Sequence, residues 1–299
     1  MISVGTNSCR LLVAARESGE RWRCEYEEVR GTRLGQGLGS GVSLAPEAVE
    51  RTLAAVREFA PLAGKTDARF GIATSALRDA DGSREFARRF RAAAGFDVHI
   101  LTGAQEASCS FAGALAGLRA AGESTAGTTC VVDVGGGSTE FAVGTDAGQP
   151  RHLASLPVGA VRITERLLAS DPPTSQELEL AAAHVRIELE AAAALGRAAQ
   201  RIVAVGGTAD TAARMLLAYD ASDNPVAAVQ RADLEALLKL AASLPLAERK
   251  RLRALPEQRA DIFPAGLVIL VGALAALGAD RTLVTRSDLL LGFVLGRFP

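Results

Sequence analysis

The pattern of apolar and polar positions divides most of the chain into short apolar runs and longer segments with helical spacing. Residues 46–63 place apolar side chains three and four positions apart behind a proline suited to a first helical turn, which predicts a helix. The same spacing predicts further helices over residues 83–94, 105–118, 175–197, 209–217 and 287–295. Short apolar runs predict strands over residues 70–74, 98–101, 201–205 and 282–285, and near Val131, Phe141 and Leu153. Hairpins and strand–helix alternation in one chain predict an α/β fold with mixed sheets.

A segment near the start of the chain returns later with the same pattern. Residues 2–13 align without a gap with residues 132–143, and each copy predicts a strand, a turn of small residues and a second apolar strand. Such a turn presents successive N–H groups and hydroxyls, which form a natural cradle for an anion. Two matching loops in successive halves are stronger evidence than one. The repeat therefore predicts two related domains with a phosphate chain gripped between the two loops.

The boundary between these domains is predicted within residues 120–128, a small, polar stretch that contains glycine. This boundary places the first domain at residues 1–122 and the second at residues 123–299. The sequence leaves open whether the terminal helix packs back on the first domain.

Composition narrows the class of ligand. The chain has 299 residues, of which 48% are hydrophobic, so it can form two sizeable cores. Its 33 Lys and Arg residues nearly balance 34 Asp and Glu residues. The strongly basic footprint of a nucleic-acid-binding protein is therefore absent, and nucleic acid is not the expected partner. A local positive cleft for a small anionic ligand is compatible with this balance.

The cysteine and apolar patterns predict a cytoplasmic protein without a membrane partner. The four cysteines lack Cys-x-x-Cys spacing, which argues against a zinc site or a disulfide framework and favours buried thiols in a reducing cytosol. The first residues lack the features of a secretory signal. The apolar run from Ile262 to Leu277 contains Pro264 and is shorter than the roughly 20 residues of a spanning helix, so it predicts a buried helix.

The sharpest chemical motif is the second loop, between Asp133 and Glu140. Three glycines there bring N–H groups close to a phosphate and two hydroxyl residues follow them, namely Gly135, Gly136, Gly137, Ser138 and Thr139. The two carboxylates can position Mg²⁺, which typically takes one or two carboxylates together with substrate phosphates and waters. The alternative is a structural glycine turn with solvated acids; the companion loop favours the functional interpretation.

A second glycine pair lies at the junction Gly206-Gly207-Thr208, where a strand leads directly into a helix. A helix N-terminus is a ready site for a phosphate or nucleotide. Glycines at such a junction can equally serve only to let helix and strand pack, so this motif alone decides nothing.

These motifs resemble those of the actin, hsp70 and sugar-kinase superfamily, and of one branch in particular, the short form of the exopolyphosphatase and guanosine pentaphosphate phosphohydrolase family. The resemblance covers essentially the whole chain, in family order. It rests on Gly5-Thr6-Asn7-Ser8 with Arg10-Leu11, Arg33-Leu34-Gly35, residues 73–80, Thr102-Gly103 with Glu106-Ala107, residues 132–140, residues 155–162, Val205-Gly206-Gly207-Thr208 and Arg259-Ala260-Asp261.

The resemblance implies two ribonuclease-H-like (actin-like ATPase) domains facing across a cleft. It also implies Mg²⁺-dependent hydrolysis of a terminal phosphoanhydride, with inorganic polyphosphate or guanosine penta- or tetraphosphate as the ligand. By position, Glu106 matches the carboxylate that activates the attacking water; from the residues alone it is only a first-turn acid of a helix. Asp133 and Glu140 are the expected metal ligands. The expected phosphate-binding residues are Gly5, Thr6, Asn7, Ser8, Arg10, Arg78, Gly135, Gly136, Gly137, Ser138, Thr139, Gly206, Gly207, Thr208 and Arg259.

The chain departs from the family pattern at the opening of the first loop. Ser3 stands where the family normally has an aspartate, and Ser3 also aligns with Asp133 in the internal repeat. Ala104-Gln105 precedes Glu106 where the family commonly has paired acids, and Leu291 stands where an arginine is usual. These changes spare the fold and weaken the expectation of catalysis.

Three functions therefore stay open at this point. The preferred one is an exopolyphosphatase. The second is a catalytically weakened sensor that binds polyphosphate or guanosine tetraphosphate, favoured by Ser3 and opposed by Glu106. The third is a kinase or ATPase of the wider superfamily, which the family-specific segments disfavour. A homodimer is compatible with all three.

Overall fold

The computed structural model describes residues 1–16, 22–38, 43–146, 149–217 and 226–297. The chain divides into two compact units, one running from Met1 to Thr102 and the other beginning at Gly103. Each unit consists of a mixed sheet covered by helices, so the predicted α/β class is confirmed.

The sheet of the first unit begins with the predicted hairpin. Its strands are β1 (Ile2–Val4), β2 (Ser8–Arg16), β3 (Trp22–Gly31), β4 (Gly71–Ala73) and β5 (Val98–Ile100). They lie in the order β3-β2-β1-β4-β5, in which the first three strands are antiparallel and β1, β4 and β5 are parallel. The helices are α1 (Pro46–Ala63), α2 (Ser75–Arg78) and α3 (Ser83–Ala94).

Helix α1 covers this sheet with the apolar face that its spacing predicts. Leu53, Val56 and Phe59 are all buried on that face. Helix α3 packs beside α1 and buries Phe86 and Phe90 in the same core. Burial of each such side chain contributes about 1.5–3 kcal/mol, which holds the hairpin and its loop on a rigid support.

The sheet of the second unit repeats this arrangement. Its strands are β6 (Thr128–Val134), β7 (Thr139–Thr145), β8 (His152–Leu156), β9 (Arg201–Val205), β10 (Val226–Gln230) and β11 (Arg281–Thr285). The order is β10-β11-β9-β6-β7-β8. The helices are α4 (Gly103–Ala120), α5 (Ala160–Leu167), α6 (Ser175–Gly196), α7 (Gly207–Leu217), α8 (Arg231–Ser243), α9 (Leu246–Arg249), α10 (Phe263–Ala276) and α11 (Leu289–Leu295), with a 3₁₀ turn at Glu257–Arg259.

The two sheets share one topology, which confirms the repeat read from the sequence. Strands β6, β7, β8, β9 and β11 take the places of β1 to β5, with the same antiparallel and parallel pairings, and β10 adds an antiparallel edge. Ser3 pairs with Arg10 across the first hairpin, and Asp133 pairs with Glu140 at the same register of the second. Both units therefore have the predicted ribonuclease-H-like strand order.

Helix α4 corrects the predicted domain boundary. The composition of residues 120–128 predicts that residues 103–122 belong to the first domain, whereas the second unit begins at Gly103. The reason is packing: α4 lies against β7 and β8 of the second sheet and makes its largest contact with α11, the terminal helix. Ala107, Phe111 and Ala114 of α4 are buried in a core shared with Val131 and other residues of that sheet. The terminal helix thus packs within the second unit.

Two glycines allow α4 and α11 to cross at close range. A Cβ atom placed on Gly113 would overlap the Asp288 carbonyl, and one on Gly292 would overlap the Cys109 carbonyl. The two backbones therefore touch with no side chain between them. This contact fixes α4, and with it the side chains of its first turn, on the second unit.

Helix α10 is the buried apolar helix that the sequence predicts between Ile262 and Leu277. It begins at Phe263 with Pro264 in its first turn, and most of its side chains lie in the core between α6 and α8. In the part of the chain that the structure describes, no helix combines the length and the apolar character needed to cross a membrane.

Candidate functional site

The carbonyl groups of the glycine loop in the second unit are held by the start of α5. The Gly135 carbonyl accepts a hydrogen bond from the Ala160 N–H at 3.0 Å, and the Gly136 carbonyl accepts one from Val161 at 2.8 Å. The Gly137 carbonyl accepts from Arg162 Nε at 2.8 Å. All three glycine carbonyls therefore face the start of α5.

The N–H groups of the loop point away from the start of α5. The Gly135 N–H closes the turn on the Ser138 carbonyl at 3.0 Å. Within the described ranges, the N–H groups of Gly136, Gly137 and Ser138 have no backbone partner. Adjacent N–H groups in a turn form an anion-binding concavity, so the loop has the geometry predicted for a phosphate cradle.

The two hydroxyl residues of this loop differ in what they can bind. Ser138 lies in the loop and hydrogen-bonds the Glu140 carboxyl. Thr139 is fully buried and donates its hydroxyl to the Val158 carbonyl at 2.6 Å. The Thr139 hydroxyl therefore stabilises the hairpin, and because its proton is already donated inside the protein, its contact with phosphate stays a prediction.

Glu140 is a buried carboxyl held by serine. Its side chain is only 4% exposed, and Ser155 Oγ donates to Oε1 at 2.7 Å. Burial raises the pKa of Glu140 well above its usual range, and the negative charges of Glu106 and Asp133 raise it further. The hydrogen bonds from Ser138 and Ser155 oppose this shift. Three carboxyl groups therefore interact electrostatically at this end of the hairpin.

Helix α4 supplies the third of these carboxyl groups. Glu106 lies in its first turn and is only 3% exposed, and Ser110 follows one turn later on the same face. Ser110 Oγ donates to Asp133 Oδ2 at 2.5 Å. The helix thus places Glu106 beside the loop and holds Asp133 in position, which fits an acid that orients water.

The donor set fits Mg²⁺ only when substrate shares in the coordination. Asp133 and Glu140 are adjacent and mutually repulsive, with Glu140 buried and Asp133 half-buried, and a divalent cation relieves such repulsion. Among the described residues, no group of three or more acidic, histidine or cysteine side chains forms a ready metal cage. Mg²⁺ commonly binds through one or two carboxylates with phosphate oxygens and waters, so the residues present fit that mode.

The strand-to-helix junction lies against this acidic group. Gly206 has φ +88° at the end of β9, and a Cβ atom on it would lie 2.5 Å from Asp133 Oδ1. Gly207 opens α7, and a Cβ atom on it would overlap the Arg259 guanidinium. The structure therefore brings a helix N-terminus and Arg259, both of which favour an anionic ligand, next to Asp133. Thr208 is buried in the same first turn of α7.

Replacing Gly207 with alanine is expected to displace Arg259 while the fold is kept. Alanine is the better helix former, and the overlapping atoms belong to the mobile end of a side chain. We expect KM for a phosphate-chain substrate to rise about tenfold, the loss of roughly 1.4 kcal/mol of binding. In a double-mutant cycle, adding Arg259→Ala should cost nothing further; additive losses would show that the effect of Gly207→Ala does not pass through Arg259.

The loop of the first unit is built on the same plan. The Gly5 N–H closes the turn on the Ser8 carbonyl at 2.9 Å. The Thr6 carbonyl accepts from the Gly35 N–H and the Asn7 carbonyl from the Arg33 N–H, both at 2.9 Å. The segment 33–35 thus donates hydrogen bonds to the carbonyls of this loop, as the start of α5 does to those of the second-unit loop. The Thr6 and Ser75 hydroxyls are hydrogen-bonded at 3.1 Å.

Asn7 is a buried polar residue of this first loop. Its side chain is 6% exposed, yet neither the amide nitrogen nor the amide oxygen has a hydrogen-bond partner in the structure as described. Leaving a buried polar group unpaired costs about 1–3 kcal/mol, so such groups usually have a missing partner. A phosphate chain would supply acceptors for the amide N–H groups.

Replacing Asn7 with leucine is therefore expected to stabilise the free protein and weaken ligand binding. The free energy of unfolding should rise by about 1 kcal/mol, since the variant no longer buries an unpaired amide. Thermal denaturation with and without polyphosphate measures both effects, and the polyphosphate-induced rise in Tm should shrink. A variant less stable than the parent, with an unchanged polyphosphate shift, would show that the Asn7 amide serves the fold alone.

Ser3 and Arg10 occupy the positions that correspond to Asp133 and Glu140. Ser3 is buried and pairs with Arg10 across the first hairpin. Arg10 Nη2 forms an ion pair with Glu27 Oε1 on β3 at 2.7 Å. Where the second unit has two acids, the first unit thus has a hydroxyl and a cation. The cation, Arg10, is paired with Glu27.

Arg78 is anchored with part of its guanidinium still accessible. It ends α2, donates from Nη1 to the Leu101 carbonyl at 3.0 Å, and lies 3.5 Å from the Asp79 carboxylate. Its side chain is partly exposed.

Several residues that hold the acids and the glycine loop in place were not predicted from the sequence. Ser110 and Ser155 hold the two metal-ligand candidates, and Arg162 braces the glycine loop. Ser155 and Arg162 stand in a segment that carried the family resemblance, but no role was assigned to them. Ser110 carries a weak signal, since it lies one helical turn after Glu106 on the same face.

Comparisons with known proteins agree with this geometry. The model of the Ppx/GppA phosphatase family matches residues 12–291. The chain is 34% identical to Exopolyphosphatase 2 of Mycobacterium tuberculosis over 313 aligned positions, which cover 98% of this chain and 96% of that protein.

Solved structures show the same likeness. The crystal structure of an exopolyphosphatase-like protein superposes with a TM-score of 0.90 at 29% identity, covering 99% of this chain and 97% of the other. The Aquifex aeolicus member of the Ppx/GppA family superposes with a TM-score of 0.81 at 27% identity, covering 99% and 95%. These matches show that the chain belongs to the Ppx/GppA phosphatase family.

Proposed function

We propose that this member of a phosphatase family is a Mg²⁺-dependent exopolyphosphatase that releases the terminal phosphate of inorganic polyphosphate. The observation that carries the proposal is the second-unit site, where Glu106 and Asp133 lie beside a glycine loop. In that loop the N–H groups of Gly136, Gly137 and Ser138 have no backbone partner among the described residues. The relatives named exopolyphosphatase support the choice of substrate.

In this mechanism the loop and the junction bind and orient the phosphate chain. The N–H groups of Gly136, Gly137 and Ser138 donate to phosphate oxygens, and the N-terminus of α7 with Arg259 binds further along the chain. Phosphoryl transfer depends mainly on such positioning and charge stabilisation. Asp133 and Glu140 would hold Mg²⁺, which supplies positive charge to the transferring group when bound.

Glu106 has the role of orienting and deprotonating water. Its carboxylate lies in a buried first turn of α4, so its position is fixed before substrate arrives. The hydroxide attacks the terminal phosphorus, the bridging oxygen leaves with the shortened chain, and the water proton passes to Glu106. The same site would accept guanosine pentaphosphate, whose terminal phosphoanhydride is chemically equivalent.

The proposal includes action in the cytoplasm. All four cysteines, which lie within the described residues, are free thiols. Burial raises the pKa of Cys9 and Cys130 to about 12, so both are inert. Cys24 is exposed and Cys109 is half-buried, so the prediction of buried thiols is confirmed for Cys9 and Cys130 and wrong for Cys24. Free thiols are typical of a reducing compartment.

A second candidate function, a phosphate-chain sensor with weak or no hydrolysis, is favoured by one observation. Ser3 and the Arg10–Glu27 ion pair stand where the second unit has its two acids. Such a site binds anions without adding a carboxylate for metal.

Phosphate release by the purified protein separates the candidates. Long-chain polyphosphate, guanosine pentaphosphate and ATP are compared with Mg²⁺ and with EDTA. The proposal expects Mg²⁺-dependent release from polyphosphate and little from ATP. Tight polyphosphate binding without release from any substrate would contradict the enzyme and support the sensor.

A further inference from the structure

The second unit contains a buried arginine that the mechanism above does not use. Arg249 ends the short helix α9, and its side chain is only 4% exposed. Its Nη2 donates to Asp171 Oδ1 at 2.7 Å, and its Nη1 donates to the Ala260 carbonyl at 3.2 Å. Its Nε is buried and has no hydrogen-bond partner among the described residues. The guanidinium is thus held between two segments with one donor unpaired.

Stability alone does not explain why an arginine occupies this position. Removing a guanidinium from water is costly, and the unpaired Nε adds to that cost. Apolar side chains of similar volume can often replace a buried ion pair without loss of stability. What the arginine supplies is geometry, because its planar fork bonds two acceptors at once in a fixed relative orientation.

The first of the two segments follows the helix that supports the glycine loop. Asp171 lies shortly after the end of α5, whose first turn donates the hydrogen bonds to the glycine carbonyls. The Asp171 carboxylate also accepts from the Leu246 N–H, at 2.8 and 2.9 Å from its two oxygens. Asp171 therefore connects the α5 end of the phosphate cradle to α9, the helix that carries Arg249.

The second segment carries Arg259. The carbonyl that Arg249 holds belongs to Ala260, directly after Arg259, and the Arg259 guanidinium lies against Gly207 at the start of α7. The 3₁₀ turn that ends at Arg259 contains no buried residue of its own. The buried methyl group of Ala260 fixes the depth of this segment, and the hydrogen bond from Arg249 fixes the orientation of its peptide group.

The two segments also meet through an apolar contact. Ile262, just beyond Arg259, is buried in one small cluster with Ala160 and Val161 at the start of α5. The apolar cluster and the Arg249 contacts thus join the same two parts of the second unit at two points. Two points of attachment resist rotation of one segment against the other, which a single apolar contact does not.

We propose that Arg249 is a positioning residue that, together with Asp171, holds Arg259 at a fixed distance from the glycine loop, so that both bind one phosphate chain. The inference rests on the proposed function, which gives Arg259 its role as a phosphate contact. Arg259 binds along the chain, away from the bond that breaks. Its displacement should therefore weaken ground-state and transition-state binding equally, which raises KM and leaves kcat unchanged.

Arg249→Met, made in two backgrounds, tests this proposal. Methionine keeps an unbranched apolar side chain in the core and removes both hydrogen bonds. In the wild-type background KM for long-chain polyphosphate should rise about fivefold, the effect of one lost hydrogen bond, with kcat within about twofold. In the Arg259→Ala background KM should not rise further, because no guanidinium is left to displace. The shift in Tm should be the same in both backgrounds.

Asp171→Asn is a milder variant that keeps the test valid where Arg249→Met does not fold. Asp171 is about half exposed, and asparagine retains an oxygen for the Leu246 N–H while it removes the charge that holds the guanidinium. KM should rise about threefold, again only when Arg259 is present. The matched control is Arg251→Met, the same change at an exposed arginine two positions away, which should leave KM, kcat and Tm unaltered.

Three results would overturn the proposal. Unchanged KM in Asp171→Asn and in folded Arg249→Met would show that Arg249 serves the fold alone. A rise in KM that persists in the Arg259→Ala background would show that the effect does not pass through Arg259. A wild-type KM in Arg259→Ala itself would remove the residue through which Arg249 acts.

Phosphate release by the wild type judges the proposed function separately. In a wild type that binds polyphosphate without hydrolysing it, Kd from titration calorimetry takes the place of KM, and the same comparison of backgrounds decides the role of Arg249. A wild type that neither hydrolyses nor binds polyphosphate would overturn both proposals.

Discussion

Replacing Glu106 with glutamine should lower kcat for phosphate release by about 10²- to 10⁴-fold, the range typical of losing a general base. Glutamine keeps the shape and hydrogen-bonding reach of the side chain and removes only the proton acceptor. The fold should be unaffected or more stable, because the negative charge of Glu106 destabilises the ionised form of Glu140 nearby. Lower activity with unchanged or higher Tm is the pattern of a functional residue that the fold does not need.

The control for this experiment is Glu123→Gln, the same change at an exposed position beyond the end of α4. It should leave kcat and Tm unaltered. KM for polyphosphate should change little in Glu106→Gln, because the role assigned to Glu106 concerns the water and not the chain. A kcat within about threefold of the wild type would remove Glu106 from the mechanism, since a general base contributes far more.

Replacing Gly292 with alanine should destabilise the protein by about 2 kcal/mol, within the range for overpacked sites. The added methyl group would overlap the Cys109 carbonyl, and a backbone atom inside α4 cannot move aside as a side chain can. The two helices must separate, which also shifts the first turn of α4. For a unit of this size, Tm should fall by roughly 4–8 °C.

Gly296 offers a matched control on the same helix. It ends α11 in an ordinary right-handed conformation, and the nearest atom to an added Cβ would lie 3.6 Å away. Gly296→Ala should therefore leave Tm unchanged or slightly raised. Urea denaturation of both variants measures the difference, and equal stability of Gly292→Ala and Gly296→Ala would show that the helix crossing tolerates a side chain.

The hairpins show how much of the site the sequence determines. Residues 2–13 and 132–143 each predict two strands and a turn, and both form with the same register. Register in a tight hairpin depends on turn length and on alternation of buried positions, which are local properties. The sequence therefore predicts directly where Asp133, Glu140 and the glycines lie. It also predicts the position of the serine that replaces the first aspartate.

Residues that contact the loops from elsewhere in the chain could not be read this way. Ser110 reaches Asp133 across 23 positions, and Arg162 reaches Gly137 across 25. Arg10 has Glu27 as its partner because β3 folds back on β2. Such pairings depend on how helices and strands pack, and an isolated serine or arginine carries no signal of its partner.

The assignment of α4 to the second unit also depends on packing between distant segments. Its helical character is a local property, and the sequence predicts the helix correctly over residues 105–118. Its place in the second unit depends on Phe111 entering that core and on Gly113 and Gly292 permitting the crossing with α11. The sequence by itself determined the elements, the repeat, the loops and the family resemblance, because these follow from local spacing. Only the tertiary structure decided the unit boundary, the serines that hold the acids and the partners of the buried Arg249, because these depend on contacts between distant segments.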